Sequence, residues 1–408
     1  MRWFENTPGS KSMPSALDGI TVLDMTRTLA GPFCTMQMAD MGAEVIKVEE
    51  PTRGDESRQW APFWNGISCY FLAANRNKRS IGLNLKQPEA VEVVKRIAAR
   101  ADVLIESYRA GAADALGLGY EDIKALNPRI VYCSVSGYGR TGPAKDKPGY
   151  DLMLQAYGGV MSVTGEPDRE PVRIGYSLVD ITCGWIAYSG IMTALFQRER
   201  TGQGQRVEAS LLEGQMAASS FHTVSYLGTG NTPVPLGTAH PALTPYQMFA
   251  SGDGYFILGV ANDGLWERFC TATGRSDLFD DPRFTTNPLR VDHRDELIAI
   301  LAEMFLKGAS AEWMALLDKA GVPNSPINQI PALVADAQVE EREMIVSVPH
   351  PEIPDLRMPG SPIRVENSPP SVRYYPPRLG EHTDVILEEM GYSAEDISHL
   401  REVGALGG

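Results

Sequence analysis

The sequence predicts an α/β protein in which a Rossmann-like half is followed by a smaller α+β domain. From residue 20 to about Gly137, short apolar runs alternate with helix-like segments, and after residue 245 the pattern changes to a hairpin followed by helices. Such alternation is typical of parallel strands joined by helical crossovers. At 408 residues the chain is also long enough to form two hydrophobic cores.

The first half supplies the parallel strands. Strand-like runs occur at ITVLDM, EVIKVE, SIGLNL, DVLIES and RIVYCSVSG, with helix-like segments such as TMQMADMGA, PEAVEVVKRIAARA and YEDIKALN between them. A long apolar helical stretch, LVDITCGWIAYSGIMTALFQRER, then stops at Thr201-Gly202-Gln203-Gly204, and QRVEAS is a further strand candidate. We expect residues 1–226 to form the N-terminal part of the large domain.

The second half begins after a loop at 227–245 that is rich in Gly, Pro and Thr, which we interpret as a linker that also visits an active site. Two alternating runs around a Gly-Asp-Gly turn then predict a hairpin. Three helix-like segments follow, so residues 246–330 are predicted to form a small α+β domain. Residues 331–408 are Pro-rich, contain short strand-like runs, and end in two predicted helices.

Composition and charge disfavour several function classes. A formal net charge of -14 at pH 7 opposes binding to nucleic acid or an anionic membrane, because both require clustered cations. Five cysteines without metal-ligand spacing indicate reduced core thiols. The first residues lack the apolar core of a signal peptide, and we expect no apolar run of membrane length. These features favour a cytoplasmic protein, and a mitochondrial-matrix location is compatible with them.

A literal GxGxxG occurs at Gly137-Tyr-Gly139-Arg-Thr-Gly142, directly after a predicted strand. A dinucleotide site needs a helix that begins at the third glycine, but Pro143 and a polar stretch follow here. We therefore expect a structural loop and no nicotinamide or flavin cofactor. The sequence also lacks HExxH, GxSxG, Walker A and EF-hand patterns, so no metal site is expected.

Asp180 is the acidic residue that stands out on physical grounds. It is the only charge in the apolar stretch IGYSLVDITCGWIAYSGIM, so its burial would be costly without a function or a partner. A helix N-cap explains the residue equally well, since Asp is favoured there. His240 is the histidine of most interest because it lies in the Gly/Pro loop GTAHPALTP, whereas the other five are scattered.

Seven segments carry a resemblance to a known family: LDGITVLDMTRTLAGPF, GAEVIKVEEPTRGDESR, NRNKRSIGLNLK, ALGLGYEDI, SGYGRTGP, DITCG and RTGQGQRVEASL. In this order they resemble the class III CoA-transferases, which include formyl-CoA transferase and carnitine CoA-transferase. The resemblance implies a Rossmann-like large domain built from both chain ends, an inserted small domain, and an interlocked homodimer. It also implies that 331–408 returns to the large domain.

The resemblance assigns Asp180 as the nucleophile that forms an acyl anhydride and then an aspartyl-CoA thioester. CoA is then a substrate, and no tightly bound cofactor is needed. The positions that match the family's CoA contacts are Thr28, Leu83, Lys86, Ser107, Tyr108, Arg109, Leu116, Tyr150 and Asp151. Two positions depart from the family pattern, because Ser107 replaces the usual Asn and Glu50 replaces a frequent basic residue.

Within the family the likeness is greatest to succinate–hydroxymethylglutarate CoA-transferase, through TRTLAGPF and GTAHPALTPYQMF, which implies succinyl-CoA as donor and a dicarboxylate as acceptor. Leu29 stands where formyl-CoA enzymes have Gln. In the loop from Leu236 to Pro245 only Gly237 remains of the family's glycine run, and His240 is a candidate substitute for shielding the intermediate. A distal carboxylate needs a cation, for which the candidates are Arg27, Arg76 and Arg173.

Two alternatives to the transferase remain open. Related acyl-CoA racemases use the aspartate as a base, paired with a histidine in a GHD motif, whereas this chain has Gly149-Tyr150-Asp151. Without that histidine, proton transfer at an α-carbon lacks one partner, so the transferase is the better interpretation. A non-enzymatic CoA-binding protein or a redox dinucleotide protein is the third possibility.

Overall fold

The computed structural model describes residues 14–407, and the predicted absence of a signal peptide falls largely on residues outside this range. The described residues divide into two compact units, a larger one with residues 14–160, 174–228 and 338–407 and a smaller one with 161–173 and 229–337. The smaller unit therefore includes 229–245, which the sequence suggested as a linker. It also includes 161–173, which the sequence analysis placed in the large domain.

The larger unit is built on parallel strands and helices. In the first part of the chain its elements are β1 (Thr21–Met25), α1 (Ala30–Asp40), β2 (Glu44–Glu49), β3 (Phe63–Trp64), β4 (Ile67–Ser68), α2 (Cys69–Asn75), β5 (Lys78–Gly82), α3 (Pro88–Ala98), β6 (Val103–Glu106), α4 (Ala112–Ala115), α5 (Tyr120–Leu126), β7 (Val131–Ser136), α6 (Asp151–Tyr157), α7 (Leu178–Thr201), β8 (Arg206–Ser210), α8 (Leu211–Ala218) and α9 (Ser220–Thr229).

Six of these strands form one sheet in the order β5-β2-β1-β6-β7-β8. Every neighbouring pair is parallel, with Leu23 opposite Ile46 on one side and Leu104 on the other. The inner strands are buried on both faces, as apolar runs such as VLIE require, whereas the edge strand β8 is partly exposed. The predicted α/β fold with parallel strands is therefore confirmed.

The smaller unit contains β9 (Tyr246–Ala250), β10 (Tyr255–Gly259), α10 (Asp263–Thr273), α11 (Ser276–Phe279), α12 (Asn287–Asp292), α13 (Arg294–Phe305), α14 (Ser310–Lys319), β11 (Asn324–Pro326) and α15 (Ile330–Val334). Its antiparallel sheet has the order β11-β10-β9, and Tyr255 pairs with Ala250 across the Gly-Asp-Gly turn, which confirms the predicted hairpin. Trp266 and Phe305 are fully buried in its core.

The chain then continues with α16 (Ala337–Glu341), β12 (Ile345–Ser347), β13 (Arg357–Pro359), α17 (Thr383–Glu389) and α18 (Ala394–Glu402). This C-terminal segment packs within the larger unit, where Ile386, Leu387 and Leu400 join a core with α3 and the sheet. The opposite face of the sheet is covered by α1 and α7. All five cysteines are free and four of them are buried, as their spacing predicted.

Helix α7 bears on the expectation that no apolar run reaches membrane length. Among the residues that the structure describes, it is the one helix long and apolar enough to cross a membrane by length and composition, with a mean hydropathy of 1.4 over 18 residues. It is not a continuous apolar run of that length, because Asp180 near its start and Gln197-Arg198 near its end interrupt it. Its buried side chains, including Cys183, Ala187 and Ile191, belong to the core between α1 and the sheet. We interpret α7 as a helix that packs one face on this core, because 39% of the apolar window is buried.

Candidate active site

Asp180 lies in the first turn of α7, at the carboxyl edge of the parallel sheet. Ser177 occupies the N-cap position and makes no side-chain cap bond. The cap is supplied from α6 instead, because Asp151 Oδ1 accepts the backbone N–H of Val179 at 2.9 Å and that of Asp180 at 3.3 Å. The N-cap interpretation of Asp180 is thus wrong, and its carboxyl group is left for another role.

Gln155 completes the support behind Asp180. Its Nε2 donates to Asp151 Oδ2 at 2.6 Å, and its Oε1 accepts the backbone N–H of Ile174 at 2.9 Å. Gln155 is fully buried. Gln155 was not among the residues predicted from the sequence, although its position four residues after Asp151 on one helix places the two side chains side by side.

Close glycine contacts bring these parts together. A Cβ atom on Gly137 would lie 2.9 Å from the Cα of Gly149, so only two glycines allow the end of β7 to approach the start of α6. A Cβ on Gly184 would lie 2.8 Å from the carbonyl oxygen of Ala30, so α7 packs closely on α1. The GxGxxG segment is followed by turns rather than by a helix. The segment thus opens no helix, as predicted, and Gly137, Gly139 and Arg140 line the cleft described next.

Asp180 borders a cleft of about 280 Å³ in the larger unit. The cleft is also lined by the turn after β1 and by the loops after β6 and β7. Its cationic lining residues are Arg27, Arg109, Arg140, Lys145 and Lys147, and its carboxylates are Asp180 and Glu56. In a chain with a net charge of -14, this local excess of cations is suited to an anionic ligand.

The surroundings of Asp180 perturb its titration. Burial raises the pKa of its carboxyl group to about 7, and the nearby Asp151 carboxylate adds to the rise. Both causes disfavour the charged form. A carboxylate that is poised near neutral pH on the wall of a cleft is suited to act as a nucleophile or a base.

A second cavity of about 240 Å³ lies beside the first and shares Arg27 and Tyr108 with it. Leu83, Lys86 and Leu116 line the second cavity. The structure therefore brings most of the predicted CoA and substrate residues together, because Thr28, Leu29, Ser107, Arg109 and Tyr150 line the first cavity. Asp151 stands behind Asp180 and does not line either cavity.

Arg76 is not brought to the cleft. It is buried, and its guanidinium group pairs with Asp40, with Nη2 2.6 Å from Oδ2. It also donates to the carbonyl oxygen of Pro359 at 2.8 Å. These contacts satisfy the guanidinium group and leave it far less suited to a substrate carboxylate than Arg27, so the assignment of Arg76 to substrate binding is not supported.

Arg173, Gly237 and His240 belong to the smaller unit. Gly237 has a left-handed φ of 60° and donates its N–H to the carbonyl oxygen of Gly165 at 2.8 Å. His240 accepts the N–H of Ala242 on Nδ1 at 3.1 Å. Their contribution to the reaction of Asp180 stays a prediction.

No group of three or more His, Cys, Asp or Glu residues that could hold a metal ion is found in residues 14–407. The aspartate and the cations around it line one cleft, and the second cavity adjoins this cleft at Arg27 and Tyr108. Nucleophilic attack by a carboxylate on an activated acyl group is the chemistry that this arrangement fits.

Comparisons with known proteins identify the family of this chain. The profile of CoA-transferase family III matches residues 17–383. A succinyl-CoA:glutarate CoA-transferase of Mus musculus is 42% identical over 92% of this chain and 86% of its own length. A succinate--glutarate CoA-transferase of Agrobacterium fabrum is 39% identical over 92% and 95%, respectively.

A solved structure of a CAIB/BAIF family protein from Brucella suis superposes with a TM-score of 0.82 at 39% identity, covering 93% of this chain and all of that one. The match extends over both units and includes the residues that surround Asp180. The family predicted from the seven segments is confirmed. The chain belongs to CoA-transferase family III and is a CoA-transferase that uses CoA thioesters as substrates.

Proposed function

We propose that this enzyme transfers CoA from succinyl-CoA to a dicarboxylic acid, with glutarate as the first acceptor to test, through covalent intermediates on Asp180. The observation that carries the proposal is the partly buried Asp180 carboxyl on the wall of a cleft rich in cations. The relatives described above, which are named for succinate and glutarate, support the choice of acids.

The proposed reaction begins when the Asp180 carboxylate attacks the thioester carbonyl of succinyl-CoA. The C–S bond breaks, CoA thiolate leaves, and a succinyl-aspartyl anhydride forms. The thiolate then attacks the Asp180 carbonyl carbon and releases succinate, which leaves an aspartyl-CoA thioester. Attack by the acceptor carboxylate frees the thiolate again, and the thiolate takes the new acyl group from the second anhydride. Each step exchanges one acyl bond, so no redox change occurs.

Other parts of the larger unit support the individual steps. The second cavity, with Lys86 and the apolar Leu83 and Leu116, would hold CoA. Arg27 would bind the distal carboxylate of the acyl group. Each tetrahedral intermediate needs N–H donors for its oxyanion. That the loop from Leu236 to Pro245 supplies them stays a prediction from the family resemblance.

The same proposal includes the assembly and location of the protein. We infer that the two compact units are the large domain and the inserted small domain. We also infer a homodimer, which the family resemblance implies, and a cytoplasmic or mitochondrial-matrix location, which the composition favours.

The decisive experiment incubates the full chain with succinyl-CoA and glutarate in deuterated buffer and analyses all CoA thioesters by mass. The transferase proposal requires glutaryl-CoA and free succinate in equal amounts, without deuterium at an α-carbon. A parallel incubation with a 2-methylacyl-CoA tests for a racemase, which would exchange deuterium at the α-carbon and leave the CoA carrier unchanged. CoA binding without any turnover over a panel of donors and acceptors would identify a binding protein.

The raised pKa of Asp180 predicts the pH dependence of the reaction. Only the ionised carboxylate can attack, so kcat/KM for succinyl-CoA should fall about tenfold per pH unit below a midpoint near 7. Steady-state rates between pH 5 and 9, at constant ionic strength, measure this midpoint. A flat profile between pH 5 and 8 would contradict the assignment of Asp180 as the ionisable nucleophile.

Asp151→Asn should move that midpoint to lower pH, because it removes a like charge beside Asp180. Burial still acts, so the midpoint should stay above that of a free aspartate. The variant should also lower kcat about tenfold, because the NH₂ group of Asn must face another donor, either the Nε2 of Gln155 or the N–H groups of the helix. If the Gln155 amide flipped to accept from Asn, its NH₂ group would instead face the N–H of Ile174. An unchanged midpoint would show that Asp151 does not act on Asp180 electrostatically.

A further inference from the structure

The turn between β1 and α1 has an unusual backbone. Thr28 has a φ of 73°, in the left-handed region that β-branched residues rarely adopt. The turn is also closely packed, because a Cβ on Gly31 would lie 2.4 Å from the Thr26 side chain. Such a conformation persists only where the surrounding structure enforces it.

Asp55 supplies the contacts that hold Thr28. The N–H of Thr28 donates to both carboxylate oxygens of Asp55, at 3.1 and 3.2 Å. Lys47 Nζ lies 2.8 Å from Asp55 Oδ2 and also donates to the carbonyl oxygen of Thr26 at 2.9 Å. The side chains of Lys47 and Asp55 are both 0% exposed. The buried Lys47–Asp55 ion pair therefore binds the backbone of the turn at two points, the N–H of Thr28 and the carbonyl oxygen of Thr26.

A second buried pair holds the start of the turn. Asp24 Oδ1 accepts the N–H of Thr26 at 2.9 Å, and Lys78 Nζ lies 3.1 Å from Asp24 Oδ2. The side chains of Asp24 and Lys78 are also 0% exposed. The N–H groups of Thr26 and Thr28 are thus satisfied by buried carboxylates rather than by backbone carbonyls.

These ion pairs need an explanation beyond stability. Taking charges out of water is costly, and a buried pair often stabilises a fold no better than apolar side chains of the same size. The turn that they hold carries Arg27, Thr28 and Leu29, which all line the Asp180 cleft. Lys47 and Asp55 border only the second cavity, and with no exposed side-chain surface they cannot contact a ligand there.

We propose that Lys47 and Asp55 are positioning residues, which hold Thr28 in its left-handed conformation and thereby fix the direction of Arg27 and Leu29 in the cleft. Asp55 comes from the loop after β2, so the pair connects the acyl side of the cleft to the sheet. The expected effect on transfer rests on the proposed function, whereas the expected effect on the turn does not.

The first test uses the unaltered protein. The amide hydrogen of Thr28 should exchange with deuterium at least tenfold more slowly than those of the loop at 141–147, although Thr28 is itself partly exposed. Hydrogen exchange read by mass spectrometry with residue-level fragmentation measures this. Exchange of Thr28 as fast as in that loop would overturn the proposal without any variant.

The second test compares Asp55→Asn with Asp40→Asn. Asp40 forms an equally buried ion pair with Arg76, with side chains 2% and 1% exposed, and its polar contacts lie away from the turn. Both variants should lower Tm. Only Asp55→Asn should speed exchange at Thr28 about tenfold or more and lower kcat/KM for succinyl-CoA about tenfold per folded molecule.

The outcomes separate the two proposals. Equal effects of the two variants on kcat/KM and on Thr28 exchange would overturn the positioning role. An unaltered protein without transfer activity would overturn the proposed function, and Thr28 exchange would still decide the positioning role. Should Asp55→Asn not fold, Lys47→Met replaces it, because it keeps the aliphatic stem and removes the ammonium group that binds Asp55 and Thr26. It should loosen the turn in the same way, and unchanged Thr28 exchange in a folded Lys47→Met protein would overturn the role.

Discussion

Asp180→Asn is expected to abolish CoA transfer, with a loss of about 10³-fold or more in kcat, because a carboxamide cannot form the anhydride. The variant keeps the size and shape of the side chain, so binding of CoA should persist. Transfer and CoA binding are measured on the same preparation, by mass analysis of thioesters and by calorimetry. Activity within about tenfold of the unaltered enzyme would rule out Asp180 as nucleophile.

Stability provides a check on the same variant. The pKa of Asp180 is raised on folding to about 7, so the folded state binds this proton more tightly than the unfolded state. The contribution of the group to the free energy of unfolding should therefore fall as pH rises from about 4 to 7. Asp180→Asn removes that ionisation, and its Tm at pH 8 should equal or exceed that of the unaltered protein. A lower Tm would mean that lost activity reflects a damaged fold.

Cys183 offers a matched control one helical turn away. It is fully buried, and burial raises the pKa of its thiol well above the usual range, so it should not react with an acyl-CoA. Cys183→Ala should keep transfer activity. Hydroxylamine added after succinyl-CoA should label Asp180, and a label on Cys183 would redirect the mechanism to a thiol.

The parallel sheet could be predicted because the signals for its strands and helices lie within short segments of the sequence. The strands β1, β2, β6 and β7 are short runs rich in apolar residues, whereas β5 (KRSIG) and β8 (RVEAS) are more polar. Helix α3 shows its own signals, with Pro88 in the first turn and Ala90, Val94 and Ile97 on the buried face. The lone charge of Asp180 in an apolar helix was equally visible. These features depend on neighbours within one or two turns of the chain.

The surroundings of Asp180 could not be predicted in the same way. Asp151 caps α7 across 28 residues of sequence, and Asp55 binds Thr28 across 27. Both contacts depend on where two loops meet in space. Arg76 shows the reverse error, because an arginine beside a family segment suggested substrate binding, and its burial against Asp40 was not visible in the sequence.

Arg27→Ala is expected to change the substrate preference of the enzyme. Its guanidinium group lines the cleft with Asp180, and its side chain is 50% exposed. Within residues 14–407 its one ion pair is weak, because Nη1 lies 3.5 Å from Oε1 of the half-exposed Glu56. The group is therefore available for a bidentate bond to the distal carboxylate of a succinyl group.

The loss should be largest for a dicarboxylate. Removing the guanidinium group leaves the succinyl carboxylate without its cation, and the open cleft lets water replace part of the lost interaction. We expect kcat/KM for succinyl-CoA to fall about 30-fold, equivalent to about 2 kcal/mol of transition-state binding, and that for butyryl-CoA to fall less than threefold. Arg27→Lys keeps the charge without the fork and should lie between the two proteins.

The measurement compares kcat/KM for succinyl-CoA and butyryl-CoA in the unaltered enzyme, Arg27→Ala and Arg27→Lys. Arg27 also borders the second cavity, where it could contact a phosphate of CoA instead. A phosphate contact is shared by every donor, so it would reduce kcat/KM for the two donors equally. An equal loss would therefore exclude Arg27 as the residue that selects dicarboxylates, whereas a selective loss would place the distal carboxylate beside the turn that Asp55 holds.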